Sequence, residues 1–190
     1  MSTSPLSARP VAPVLADRLP GTIVRDVVLV LGFAVAIAAS AQLAVPLPNT
    51  PIVVTGQTLV VLLGAAALGA GRASVGAAVY GLVGLAGVPW FAVTGGASLG
   101  YVAGFVVAAW LVGRLARNGL VDRVGGAAVA MALGNVVILG LGTLVLGIVL
   151  GMGPGEAIAA GTVPFLIGDA IKLVVAAVAL PQIQRFVPKD

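Results

Sequence analysis

The sequence predicts an all-α polytopic membrane protein with six transmembrane helices and both termini in the cytoplasm. Three observations predict it. The 190 residues are 60% hydrophobic and only 8% charged, with a mean hydropathy of +1.18, well outside the range of a soluble domain. Charges are absent from three long blocks, 27–71, 73–113 and 124–155, and about 20 apolar residues suffice for one crossing. Of the 10 Lys and Arg residues, all but Lys172 fall on one side of a single topology.

The elements follow in chain order. Residues 1–21, rich in Ser, Pro and Ala, lack an apolar block long enough to span and read as a disordered cytoplasmic tail. A six-helix membrane domain occupies 22–185, and 186–190 form a short cytoplasmic tail. Within the domain, proline and glycine divide the uncharged blocks. VPLPNTP (45–51) cannot continue a helix, GAGR (69–72) ends the second segment, and VPWFAVTGGASLG (88–100) breaks the next block. RLARNGLVDR (114–123) is the one strongly polar loop, and GMGPGE (151–156) precedes the last segment. The predicted spans are therefore about 22–44, 52–70, 73–88, 100–117, 124–150 and 157–180. Arg25, an apolar run and the small residues ASA (39–41) imitate a cleavable leader. The run continues to Val45 before five further spans, which favours an uncleaved first helix.

With the N-terminus inside, Arg9, Arg18, Arg25, Arg72, Arg114, Arg117, Arg123, Arg185 and Lys189 all fall inside, and the three outer loops contain no Lys or Arg. That distribution follows the enrichment of basic residues in cytoplasmic loops. It also explains the positive net charge, so nucleic-acid binding is not expected. The absence of cysteine and histidine removes thiol nucleophiles, disulfides and the commonest metal ligand and general base. No catalytic or metal site is expected. There is no GxxxxGK[ST] stretch for ATP and no internal repeat of the kind that builds many secondary carriers.

Within the last span, FLIGDAIKLVV (165–175) places Asp169 and Lys172 three positions apart in an apolar run. A charge at a helix centre costs about 2.5–3.5 kcal/mol on insertion scales and usually marks a function. Positions three apart share a helix face, so the two can neutralise each other or both contact one ligand. A proton relay is poorly supplied, because no second acidic residue lies well inside a span. A compact polar ligand suits the pair, with Asp accepting from N–H groups and Lys donating to a carbonyl or carboxylate. Gln57 and Thr58 in VTGQTLVV, Tyr101 in SLGYVAGF and Asn135 in GNVVILG are further candidate binding residues, each with an interhelical hydrogen bond as the structural alternative. Trp90 and Phe91 are either interfacial anchors or part of a lid. In FAVAIAASA (33–41), Ala34 and Ala38 have small-xxx-small spacing, with Gly32, Ala36 and Ser40 on an adjacent stripe. Such spacing admits a close helix, within the chain or from a partner.

Taken together, PNTPIVVTGQTL, the GLVGLAGVPWF segment, GYVAGFVVAA, GNVVILG and VPFLIGDAIKLVVAA resemble, in order, the motifs of the BioY family. These are the biotin-specific S components of energy-coupling factor (ECF) transporters. The likeness runs from about residue 40 to 180. It implies a six-helix protein of the prokaryotic plasma membrane that captures biotin with high affinity and takes it up with a transmembrane coupling (T) protein and two ATP-binding subunits. No cofactor is implied. The family's GDxxK motif, at the biotin site, maps onto Asp169 and Lys172, and Asn135 and Tyr101 match motifs near the ligand. An Ala-rich face of the first helix contacts the coupling protein, which maps onto Ala34 and Ala38. Asp169 is expected to meet a ureido N–H, and Lys172 either the ureido oxygen or the ligand carboxylate. The 89–100 loop is shorter than the family pattern. An S component for another vitamin, a proton-coupled carrier working alone and a purely structural membrane protein are the competing functions.

Overall fold

The computed structural model of the chain describes residues 14–21, 23–46, 51–91 and 96–185. Most of the predicted N-terminal tail, to residue 13, and the C-terminal tail 186–190 lie outside them. Seven α-helices occur among the described residues: α1 Ile23–Ala41, α2 Gln57–Leu68, α3 Ala70–Leu85, α4 Leu99–Arg117, α5 Val124–Leu150, α6 Pro154–Gly161 and α7 Leu166–Arg185. A short antiparallel pair, β1 Ala44–Val45 with β2 Val54–Thr55, joins α1 to α2. Helix α4 is the central post, packed on α2, α3 and α5, while α1 packs on α3 and α7 on α5.

The bundle is inverted relative to a soluble one. Large apolar side chains such as Leu31, Val35, Leu82, Trp110, Val136, Ile148 and Ile167 are exposed, while the interior is dominated by alanine and glycine. In lipid, helices associate by close packing of small residues. A β-carbon on Gly104 of α4 would stand 2.8 Å from the Ile138 backbone of α5, and one on Gly76 of α3 2.8 Å from the Phe33 ring of α1. Four stretches are long and apolar enough to cross a membrane, Ile23–Ala41, Gly96–Arg117, Val124–Leu150 and Pro154–Gln182.

Several expectations are corrected. The predicted spans 52–70 and 73–88 are helices of 12 and 16 residues, about 18 and 24 Å long and shorter than the roughly 30 Å hydrocarbon core. The chain before Gln57 is spent on the β1–β2 pair, and Gly69, at φ 79°, turns α2 directly into α3. The single span expected over 157–180 is broken into α6 and α7 by a 3-10 turn over Val163–Phe165. Pro164 causes the break, since it has no N–H to give and its ring clashes with the carbonyl four residues back. The first span ends at Ala41, because residues 44–45 enter the strand pair. Ala34 and Ala38 are each only 1% exposed, on the side of α1 that packs into the bundle.

The described part of the tail is not loose either. Leu15–Arg18 form a 3-10 turn with Val14 and Ala16 buried, fastened by an ion network at the end of the bundle where α1 and α3 begin and α4 ends. Arg72 donates to Asp17 at 2.6 Å and to Asp26 at 3.0 Å, and Arg117 reaches Asp17 at 3.1 Å. Burial pushes the Asp17 carboxyl upward, but the Arg72 hydrogen bond, the Val14 amide and the Arg117 charge together hold it below its ordinary range. A depressed carboxyl stabilises the fold above its unfolded value, about 3.9, and that contribution disappears as pH falls through the folded value. Asp17→Asn is therefore expected to lower the unfolding midpoint at pH 7 and to flatten its loss between about pH 5 and 3, measured by thermal denaturation in detergent.

Candidate functional site

Helix α7 carries Asp169 and Lys172 on one face, one turn past the Pro164 break, and the first turn of α2 lies against them. Lys172 has three N–H donors, and all have acceptors: the Thr55 carbonyl at 2.7 Å, Thr58 Oγ1 at 3.0 Å and Asp169 Oδ1 at 3.0 Å. The Thr58 hydroxyl donates in turn to Asp169 Oδ1 at 3.2 Å. Three acceptors around one ammonium thus tie β2 and α2 to α7. Asp169 is 4% exposed, and its Oδ2 is buried without a hydrogen-bond partner among the described residues. A buried acceptor left unmade costs about 1–3 kcal/mol, and more when charged, so the cluster is one donor short.

Beside this cluster lies a cavity of about 310 Å³, within the usual range for small-molecule sites, about 300–1,000 Å³. Its floor is buried and partly aromatic, with Tyr80, Tyr101, Phe105 and Phe165, while its mouth is lined by the exposed Gln42, Ala44, Val53 and Trp90. Lys172, Thr58 and Gln57 supply polar atoms to the wall. Gln57 accepts from the Thr55 hydroxyl at 3.0 Å and donates to the Tyr80 hydroxyl at 2.7 Å.

Four of the six predicted binding residues, Gln57, Thr58, Tyr101 and Lys172, line this cavity. Asp169 and Asn135 do not; they share a crevice of about 10 Å³ with Leu62, Leu173 and Ala176 on the far side of Lys172. Asp169 therefore grips the ammonium from behind. Tyr101 is also committed, its hydroxyl donating to the Gly161 carbonyl at 2.6 Å, at the α6–α7 break where backbone groups need outside partners. Tyr101→Phe keeps the ring but leaves that carbonyl without its donor. A loss of about 1–3 kcal/mol in stability is expected, read as a lower unfolding midpoint, with ligand affinity changed less than tenfold.

Residues that sequence reasoning passed over also line the cavity. Tyr80 is 2% exposed and Phe105 4%, with ring centroids 6.4 Å apart. The signal for Tyr80 was present, since a tyrosine inside an apolar span needs a hydroxyl partner. The Thr55 carbonyl gave no such signal, being backbone. Trp90 and Phe91 divide the roles expected of them. Phe91 packs on Tyr80 at 5.7 Å, whereas Trp90 stands 65% exposed at the mouth. Trp90 is also the one non-glycine with positive φ among the described residues, at 76°, a strained conformation of the kind that collects at ligand clamps. Its carbonyl accepts from Gln42 at 3.4 Å. The rest of the shortened loop, 92–95, lies outside the described residues. No group of three or more potential metal ligands occurs among the described residues.

Comparison with known proteins extends these observations. A model of the BioY family matches residues 8–189. The chain is 32% identical over 168 residues to a protein of Rhizobium etli named biotin transporter BioY, covering 80% of this chain and 89% of that one. It is 34% identical over 166 residues to a protein of the same name from Thermotoga maritima, covering 80% and 92%. In fold it is similar to a solved S component for biotin from an ECF-type ABC transporter, with a TM-score of 0.76 over 88% of this chain and 96% of that one, at 17% sequence identity. That degree of identity speaks to the fold alone.

Proposed function

The chain belongs to the BioY family, and from that membership we propose that it binds biotin in the 310 Å³ cavity and takes it up as the substrate-specific subunit of an energy-coupling factor transporter. The observation that carries the reading is Lys172, backed by Asp169, beside Thr58 and Gln57 on the wall of a largely apolar and aromatic cavity. Biotin's ureido ring places two N–H donors beside one carbonyl acceptor, and its thioether ring and side chain are mostly apolar. Lys172 faces an acceptor of the ligand, while Asp169, behind it and outside the cavity lining, holds the ammonium in place at 3.0 Å. A charge-assisted contact is worth about 1.5–3 kcal/mol, and apolar enclosure by the floor contributes the rest.

In this reading the chain crosses the bilayer six times, with the short α2 and α3 as the second and third crossings and α6 and α7 together as the sixth. Both termini face the cytoplasm, as the basic residues require. The cavity mouth then opens outward. Calorimetry of the purified protein with biotin, desthiobiotin and thiamine tests the assignment. Micromolar or tighter binding of biotin and none of thiamine is expected; no detectable heat with biotin would overturn it.

Energy comes from partner subunits, a coupling protein and two ATPases. The small-residue face of α1 open to a partner is Gly32 and Ala36, both exposed, with open space around Gly32. Ala36→Trp is expected to reduce co-purification with a coupling protein at least tenfold while biotin binding stays within threefold; undiminished co-purification would remove this face from the interface. Ala34→Trp should instead disrupt folding, because Ala34 is buried.

A further inference from the structure

Resting on the biotin reading, we propose that the cavity does not read the charge of the ligand's carboxylate, so that its substrate class extends to biotins substituted at the carboxyl group. The first observation is that Lys172, among the described residues the one basic residue lining the cavity, is already spoken for. Its charge is matched by Asp169 at 3.0 Å, and its three donors are held by the Thr55 carbonyl, Thr58 Oγ1 and Asp169 Oδ1. A neutral carbonyl of the ligand can replace the Thr55 carbonyl like for like. A carboxylate there would bring a second negative charge beside Asp169 into a buried site with one cation, and burying an uncompensated charge is costly.

The second observation is where the other cations stand. The segments around the mouth, 42–56 and 86–98, contain no Lys or Arg in the sequence. Arg25, Arg72 and Arg117 are gathered with Asp17 and Asp26 at the opposite end of the bundle, and Arg114 lies on the turn of α4 next to Arg117. Among the described residues no cation other than Lys172 therefore lines the cavity or its mouth. The arrangement that buries no unmatched charge puts the ureido ring inward against Lys172 and lets the side chain run out between Ala44, Val53 and Trp90, leaving the carboxylate in water. A carboxylate that remains hydrated contributes little to affinity, and neither its charge nor what is attached to it is recognised.

Calorimetry of the full-length protein at pH 7 with biotin, biotinamide and ε-N-biotinyl-lysine tests this. Biotinamide removes the charge, and biotinyl-lysine adds a bulky chain that must leave through the mouth. Both are expected to bind within tenfold of biotin. A loss of tenfold or more for biotinamide would mean that the charge is read, and a loss of tenfold or more for biotinyl-lysine that the carboxyl end is enclosed; either overturns the proposal. If biotin itself does not bind, it is the assignment of biotin to the cavity that fails, which a difference between the analogues cannot mimic.

Discussion

Lys172→Ala is expected to weaken biotin binding at least tenfold, about 1.4 kcal/mol, and to destabilise the protein even without ligand. The two effects have separate causes. In the native chain the ligand acceptor exchanges water for the ammonium; without Lys172 it is buried with no donor, and that unmade hydrogen bond is what binding loses. Stability loses more. Removing the lysine leaves Asp169, 4% exposed, with both oxygens short of donors except for the Thr58 hydroxyl, and stranding one member of a buried ion pair typically costs about 3–5 kcal/mol. The double variant Asp169→Asn/Lys172→Met removes both charges together and is expected to recover most of the unfolding midpoint, since neutral replacement of a buried pair is often tolerated. Biotin binding should remain weak in that variant. If Lys172→Ala binds biotin as the native chain does, the pair is purely structural and the site lies elsewhere in the cavity.

Gly113→Val is expected to have the largest effect on the fold itself. Gly113 sits where α4 crosses the junction of α2 and α3, and a β-carbon there would collide with the backbone of Ala70 and come within 2.6 Å of the Gly69 carbonyl carbon. The obstacle is main chain, so no rotamer change relieves it. Gly69 is held at φ 79° with the Arg117 guanidinium over it, which limits how far the junction can retreat. Overpacking of this kind costs about 1–3 kcal/mol or more, with the upper end expected here. For a chain of this size that corresponds to a drop of about 6–12 °C in the unfolding midpoint. Gly125→Ala is the control, because Gly125 is exposed and nothing lies within 4 Å of a β-carbon there. A native midpoint for Gly113→Val would mean that α3 and α4 do not approach as closely as described.

The candidate site was legible in the sequence where charge was concerned. Lys172 announces itself because it is the one basic residue with no topological reason for its position, and Asp169 because a carboxylate in an apolar run must have a partner. What the spacing did not reveal is their order. Lying on one helix face is compatible with both side chains facing a ligand, and the arrangement in which Lys172 lines the cavity with Asp169 behind it depends on where α2 places Thr58 and the Thr55 carbonyl. The first helix shows the same limit. At 100° per residue, Gly32 and Ala36 lie nearly opposite Ala34 and Ala38 and not on an adjacent stripe as expected, so two small-residue stripes with the same spacing run along opposite faces. The choice between them falls to Phe33, whose ring fits against Gly64 and Gly76 on α2 and α3 and turns the alanine stripe beside it inward.

By itself, then, the sequence determined that this chain lies in a membrane, which end of each long helix carries the charge, and which few polar residues interrupt the apolar spans. These follow from the transfer of side chains between water and hydrocarbon, which depends on composition along the chain and not on neighbours in space. Tertiary structure alone decided that the second and third helices are short, that Tyr80 and Phe105 form the floor of the cavity, and that Lys172 has no donor to spare. Those outcomes depend on contacts between residues as far apart as Thr55 and Lys172, or Gln57 and Tyr80. Which backbone comes near enough to accept a hydrogen bond is set by helices packing at their glycines, and no local pattern encodes it.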